Sequence, residues 1–194
     1  MHRAADEFAL DPVPRRRGVV RVFILAATLA ILAADLVGFT RLTGEREPEI
    51  AGVERFDIPE RGHTTDPVTY DRIPPAGGPH DPALQNCGVY AEPLRDENAV
   101  HSLEHGAVWL TYRPDLPAWQ VDMLSGLIKG KHHALLSPYP GLPATVVATA
   151  WGRQLAVDDP ADPRIARFVD VYRAGPQSVE KGAPCDGGVG NPLR

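Results

Sequence analysis

The stretch Asn98-Ala99-Val100-His101-Ser102-Leu103-Glu104-His105-Gly106-Ala107-Val108-Trp109-Leu110-Thr111-Tyr112 holds two histidines and a glutamate within five residues, closes on a glycine, and runs into an apolar segment. Its first half predicts a short helix. Asp96 can cap it, Glu97 sits in its first turn, and Gly106 suits its stop. With Val100 at zero on the helical wheel, Leu103 falls at about −60°, Glu104 at about +40°, His101 at about +100° and His105 at about +140°. The two imidazoles share one face, Val100 and Leu103 form an apolar stripe, and Glu104 lies between. The second half, Ala107 to Tyr112, is rich in β-forming residues and predicts a buried strand.

A histidine pair at i,i+4 lets a helix offer two nitrogens to one metal ion. The order H-x-x-E-H is that of the inverted zinc peptidases, where the glutamate acts as general base on a metal-bound water. The alternative is a short surface helix with two solvated histidines. No second long helix bearing a glutamate ligand is visible in the sequence.

Upstream lies Ile73-Pro74-Pro75-Ala76-Gly77-Gly78-Pro79-His80. Two prolines stiffen this loop, two glycines permit positive φ, and Pro79 fixes the backbone before His80. Rigid loops often present functional side chains, which makes His80 a third ligand candidate beside His101 and His105. Glu104 joins the set as a fourth ligand or as a partner that orients one of the rings. Val68-Thr69-Tyr70 reads as a short strand, and His63 before it as a solvated loop histidine. The two cysteines, Cys87 and Cys185, are expected to pair in an oxidising compartment. The rival reading makes Cys87 a thiolate ligand of a softer copper(I) or zinc site.

Downstream, Ala118 to Ile128 predicts a helix with Trp119, Met123 and Leu127, and Leu124 with Ile128, at core spacing. His132 to Ser137 reads as a strand. Neighbouring residues on a strand face opposite sides, so His132 and His133 are set aside as surface and edge residues. Ala144 to Trp151 predicts a central, two-sided strand, and residues 153–157 continue it or turn back. A last helix over about 163–174 places Ile165, Phe168, Val169 and Tyr172 on one side. The fold class expected is α/β (α+β), a small mixed sheet with two or three helices, preceded by one N-terminal transmembrane helix.

That span is the apolar stretch from Val19 to Phe39. Arg21 can snorkel and Asp35 sits near the far interface, which brings the window close to the roughly 20 residues a spanning helix needs. The alternative is a cleaved signal peptide. Arg15-Arg16-Arg17 precede it, which orients the N-terminus inside and the rest outside. The organisation expected is a cytoplasmic tail (1–18), a signal anchor (19–39), a stalk (40–66), an extracytoplasmic domain (67–188) and a tail (189–194). Residues 1–40 carry five arginines and four acids, and the remainder holds six more acids than bases. An acidic exterior does not favour nucleic acid. The glycines at 77 and 78 are not followed by the Lys-Ser/Thr of a phosphate loop.

Pro74 to His80, Cys87-Gly88-Val89-Tyr90, Val100 to Val108 and Thr149-Ala150-Trp151-Gly152 occur in this order. Over residues 52–188 the chain resembles the bacterial family of domain of unknown function 3105. The resemblance implies one N-terminal anchor and an extracytoplasmic domain, with no activity to carry over. The function expected is a membrane-anchored protein that binds copper or zinc through His80, His101, His105 and Glu104. The alternatives are a metal-dependent hydrolase with Glu104 as base, and a disulfide-stapled structural or partner-binding module.

Overall fold

Val108–Tyr112 is buried at every position, because it lies inside a sheet covered on both faces. The computed structural model describes residues 48–193; the expected cytoplasmic tail and transmembrane helix lie outside them. Among the described residues, eight strands and three helices follow in order. The strands are β1 (Glu54–Arg55), β2 (Gly62–His63), β3 (Pro79–His80), β4 (Gly88–Val89), β5 (Val108–Tyr112), β6 (Ala134–Pro138), β7 (Val146–Ala150) and β8 (Arg153–Val157). The helices are α1 (Asp96–Glu104), α2 (Ala118–Ile128) and α3 (Pro163–Tyr172). No described helix is long and apolar enough to cross a membrane.

Six strands form one mixed sheet in the order β1-β8-β7-β5-β6-β4, and β2 pairs in parallel with β3 beside it. β5 and β6 are parallel, joined by α2 as a crossover, whereas β7 and β8 form an antiparallel hairpin. Residues 153–157 therefore turn back. Alternate side chains go to opposite faces. Val108, Leu110, Tyr112, Leu136, Ala148 and Leu155 pack with Leu124 and Ile128 of α2 and with Ile165, Phe168, Val169 and Tyr172 of α3. Trp109 and Leu135 point the other way, to Val100 and Leu103 of α1 and to Trp151. The result is a mixed α+β fold with α2 and α3 on one face of the sheet and α1 on the other.

Four local expectations are corrected. Asp96 is the first helical residue, not the cap; Arg95 occupies that place without a side-chain cap. The Asp96 carboxylate instead accepts a 2.9 Å bond from the Tyr139 hydroxyl. Val68–Tyr70 makes no strand, and the Val68 N–H bonds the Glu97 side chain at 3.0 Å. Trp119 is 66% exposed at the start of α2, because Leu124 and Ile128 already meet the sheet. His132 and His133 lie in the turn before β6, with His133 at φ 55°.

The segment expected as a stalk runs, from residue 48, along the sheet. Ile50 is buried and β1 pairs with β8. The C-terminal segment is pinned by a Cys87–Cys185 disulfide that spans 98 residues, with Cα atoms 5.5 Å apart. This pairing removes the thiolate-ligand reading of Cys87, since neither cysteine is free. Beyond it, Val189 and Leu193 make single bridges to Gln85 and Val89.

Candidate metal centre

His80 reaches the centre on the loop its sequence stiffens. Gly77 and Gly78 take φ of 138° and 125°, a region closed to most side chains. The loop is tied down by a Gly152 N–H bond to the Ala76 carbonyl at 2.7 Å and by the Tyr70 hydroxyl on the Pro79 carbonyl at 2.7 Å. The His80 ring is fully buried, edge-on to Trp151.

α1 supplies His101, Glu104 and His105. It is buried on all sides from Glu97 to Glu104, so the picture of a surface helix with solvated histidines does not hold. Its C-terminus closes at Gly106 with φ 98°, where a Cβ would stand 2.5 Å from the Ser178 hydroxyl oxygen. At the other end Arg95 bonds Asp81 at 2.7 Å and Glu97 at 3.0 Å. Asp81 lies next to His80, so this ion pair joins the start of α1 to the loop. The Ala83 N–H and the Arg95 guanidinium hold the Asp81 carboxyl below the usual carboxylate range.

The three rings are oriented alike. His80 Nδ1 lies 2.8 Å from the Gly78 carbonyl, His101 Nδ1 2.8 Å from the Asp81 carbonyl, and His105 Nδ1 2.7 Å from the Pro184 carbonyl. A carbonyl oxygen only accepts, so each Nδ1 carries the proton and donates it. In the neutral ring each Nε2 is then a bare lone pair, the form a metal takes. The His101 and His105 Nε2 atoms face each other at 3.1 Å. Two lone pairs at that distance repel unless a proton or cation lies between them. His80 Nε2 lies 3.0 Å from a Glu104 oxygen. It is buried and completes no hydrogen bond, because a bare imidazole lone pair and a carboxylate oxygen both accept. Burial, together with charge on the three neighbouring histidines, outweighs the Asp81 hydrogen bond and holds His101 below the ordinary histidine range. The lowering favours the neutral ring, the form a metal takes.

One atom each from His63, His80, His101 and Glu104 lies within 4.8 Å of all the others. This His/Glu group could hold a metal ion. His63 is the member that sequence reasoning missed. It sits opposite His80 in the parallel β2–β3 pair, with ring centroids 5.1 Å from His80 and 4.9 Å from His101. It is the one exposed member. No periodicity announces a two-residue strand, so only the repeated Gly/Pro-His ending of Arg61-Gly62-His63 and Gly78-Pro79-His80 could have linked the two.

Of the four expected ligands, His80, His101 and Glu104 belong to this group and His105 lies outside it. His80 and His101 stand 4.9 Å apart by ring centroids, and His101 and His105 4.6 Å. His105 meets the group through His101, and its Nε2 also lies 3.3 Å from the exposed Glu180 carboxylate. His133 is spent on the Ala183 carbonyl at 2.9 Å.

No curated protein and no solved structure matches the chain. The model of the family described as "Protein of unknown function (DUF3105)" matches residues 63–187, from His63 through both cysteines, and the chain belongs to that family.

Proposed function

We propose that this protein binds one transition-metal ion, zinc or copper, with His63, His80, His101 and Glu104 as the ligands and His105 beside them. The observation that carries the reading is the common orientation of the buried rings. Each spends its Nδ1 proton on a backbone carbonyl, and the buried His80 Nε2 is left without a hydrogen bond. A buried polar atom without a partner costs about 1–3 kcal/mol. A bound cation would remove that cost and the repulsion at the 3.1 Å nitrogen pair. Three imidazoles and one carboxylate suit zinc or copper(II) by ligand type.

The test is metal content of the purified full-length chain after zinc or copper loading. We expect about one ion per chain, as a four-ligand site requires, and none in a His80→Ala/His101→Ala double variant. Unchanged content in that variant overturns the reading. So does a melting temperature that ignores both chelator and added metal, which would leave a disulfide-stapled structural or partner-binding module.

The hydrolase reading has one observation in its favour: His63 is exposed, so the ion would have a solvent-facing side. A ligand leaving that side would make room for water, with Glu104 as the nearby base. Glu104→Gln should then abolish chelator-sensitive hydrolysis while the ion stays bound. Four protein ligands on one ion describe a closed site, which favours binding over turnover.

The place we propose for this chemistry is outside the cell membrane, anchored by one pass of the Val19–Phe39 stretch. Support comes from the basic run before it and from the disulfide, a bond of oxidising compartments. An alkaline phosphatase fused after residue 194 should be active in cells. A fusion that is synthesised in full but stays inactive would reverse the orientation.

A further inference from the structure

We propose that His105 and Glu180 form an outer capture position, from which a metal ion passes to the inner group across the shared imidazole of His101. The inference rests on the metal-binding reading above and adds a route to it. His105 Nε2 lies 3.1 Å from His101 Nε2 and 3.3 Å from a Glu180 oxygen. Donor atoms on one tetrahedral zinc ion, with bonds of about 2.0–2.1 Å, lie about 3.3 Å apart. Each of these two distances, both measured from His105 Nε2, is that between neighbouring ligands of one ion. The three residues are a different set from the inner four, and His101 is the member common to both.

The two positions differ in access. The Glu180 side chain is 52% exposed and that of His105 10%. His80, at the inner end, is fully buried. An ion arriving with its water shell can meet this carboxylate as well as the exposed His63, and a negative charge raises the local concentration of cations. The backbone that bears Glu180 is anchored. The backbone N–H groups of Val179 and Glu180 both bond the Glu104 carbonyl, at 3.2 and 3.1 Å. The segment that bears the outer carboxylate is thus fastened to the residue that bears the inner one. The Pro184 carbonyl, next to the Cys185 disulfide, aims the His105 ring.

His101 Nε2 has one lone pair, and one lone pair serves one ion. The two positions therefore alternate, and the protein carries one ion at a time. A residue on the route, as distinct from a ligand of the resting ion, has a particular kinetic signature. Removing it slows arrival and departure by the same factor and leaves affinity unchanged, because both directions cross the same barrier.

The experiment uses the full-length chain with Zn(II) as the probe, following uptake and release by stopped-flow against a fluorescent zinc chelator. In Glu180→Ala both rates should fall together, by about tenfold, the lower range of electrostatic steering. The dissociation constant and the stoichiometry should stay at the wild-type values. His105→Gln should slow both rates in the same sense. Unchanged rates in Glu180→Ala overturn the proposal and mean that ions pass by the exposed His63. A weaker dissociation constant produced by faster release alone also overturns it, since Glu180 would then be a ligand of the resting ion. Failure of the wild-type chain to take up zinc removes the metal-binding reading itself, an outcome distinct from normal uptake with no Glu180 effect.

Discussion

At the scale of the residue, His101 carries the most consequence. Its Nδ1 is committed to the Asp81 carbonyl, its Nε2 faces His105, and burial lowers its pKa below the ordinary histidine range. The sign of the pH effect follows. A histidine whose folded pKa is lowered takes up fewer protons than it does unfolded, where its pKa is about 6.5. The unfolded chain then binds more protons, so metal-free stability falls as the pH drops through that value. Urea titrations of the chelator-treated protein should show midpoints falling between about pH 7 and 5, and His101→Gln should flatten the fall. A midpoint equally pH-dependent in the variant would assign the effect elsewhere. Metal should raise stability at neutral pH and steepen the fall, because the ion excludes protons from the folded chain's lone pairs and is itself displaced as they titrate.

At the scale of the element, α1 shows what one sequence can disclose. Its extent, its Gly106 stop and the shared face of His101 and His105 follow from a 3.6-residue period and a glycine, all local properties. Its complete burial was not legible, because what covers it comes from the His80 loop and from residues 178–185, distant in the chain. The same reason hid His63, whose two-residue strand has no periodicity and exists only by pairing with β3. Gly106→Ala tests the stop. The new methyl would meet Ser178 at 2.5 Å while the backbone keeps φ at 98°. Both effects are unfavourable, and a loss of at least about 1 kcal/mol in denaturant titration is expected. α3 offers a gentler case. Asp162 accepts the Arg164 N–H at 2.9 Å as the helix cap, and its bonds with Arg164 hold its carboxyl below the usual range. Asp162→Ala should cost about 1 kcal/mol at neutral pH. A carboxyl with a lowered folded pKa stabilises above its unfolded value of about 3.9. The difference between variant and wild type should therefore shrink as pH falls below about 4, through the lowered value.

At the scale of the whole molecule, the Cys87–Cys185 bond separates stability from ion binding. It closes a loop of 98 residues that contains five of the sheet's six strands together with α1, α2 and α3. In the chain-entropy model such a closure is worth about 4–5 kcal/mol, a large part of the stability of a single domain. None of His63, His80, His101 and Glu104 lies on the segment the bond secures. His105 and Glu180 depend on that segment, through the Pro184 carbonyl and the Glu180 carboxylate. A Cys87→Ser/Cys185→Ser variant should therefore unfold at clearly lower denaturant yet still bind one ion per chain in the cold. Its ion exchange should resemble that of Glu180→Ala, with uptake and release slowed together. Zinc should rescue much of the lost stability, since a ligand at a hundred times its dissociation constant adds about 2.7 kcal/mol. Parallel melting curves with and without Zn(II) read the rescue, at about 2–4 °C per kcal/mol for a domain of this size. If the variant folds but binds no ion, the C-terminal segment holds the inner ligands in place, and the division between an inner group and a fastened outer arm is wrong.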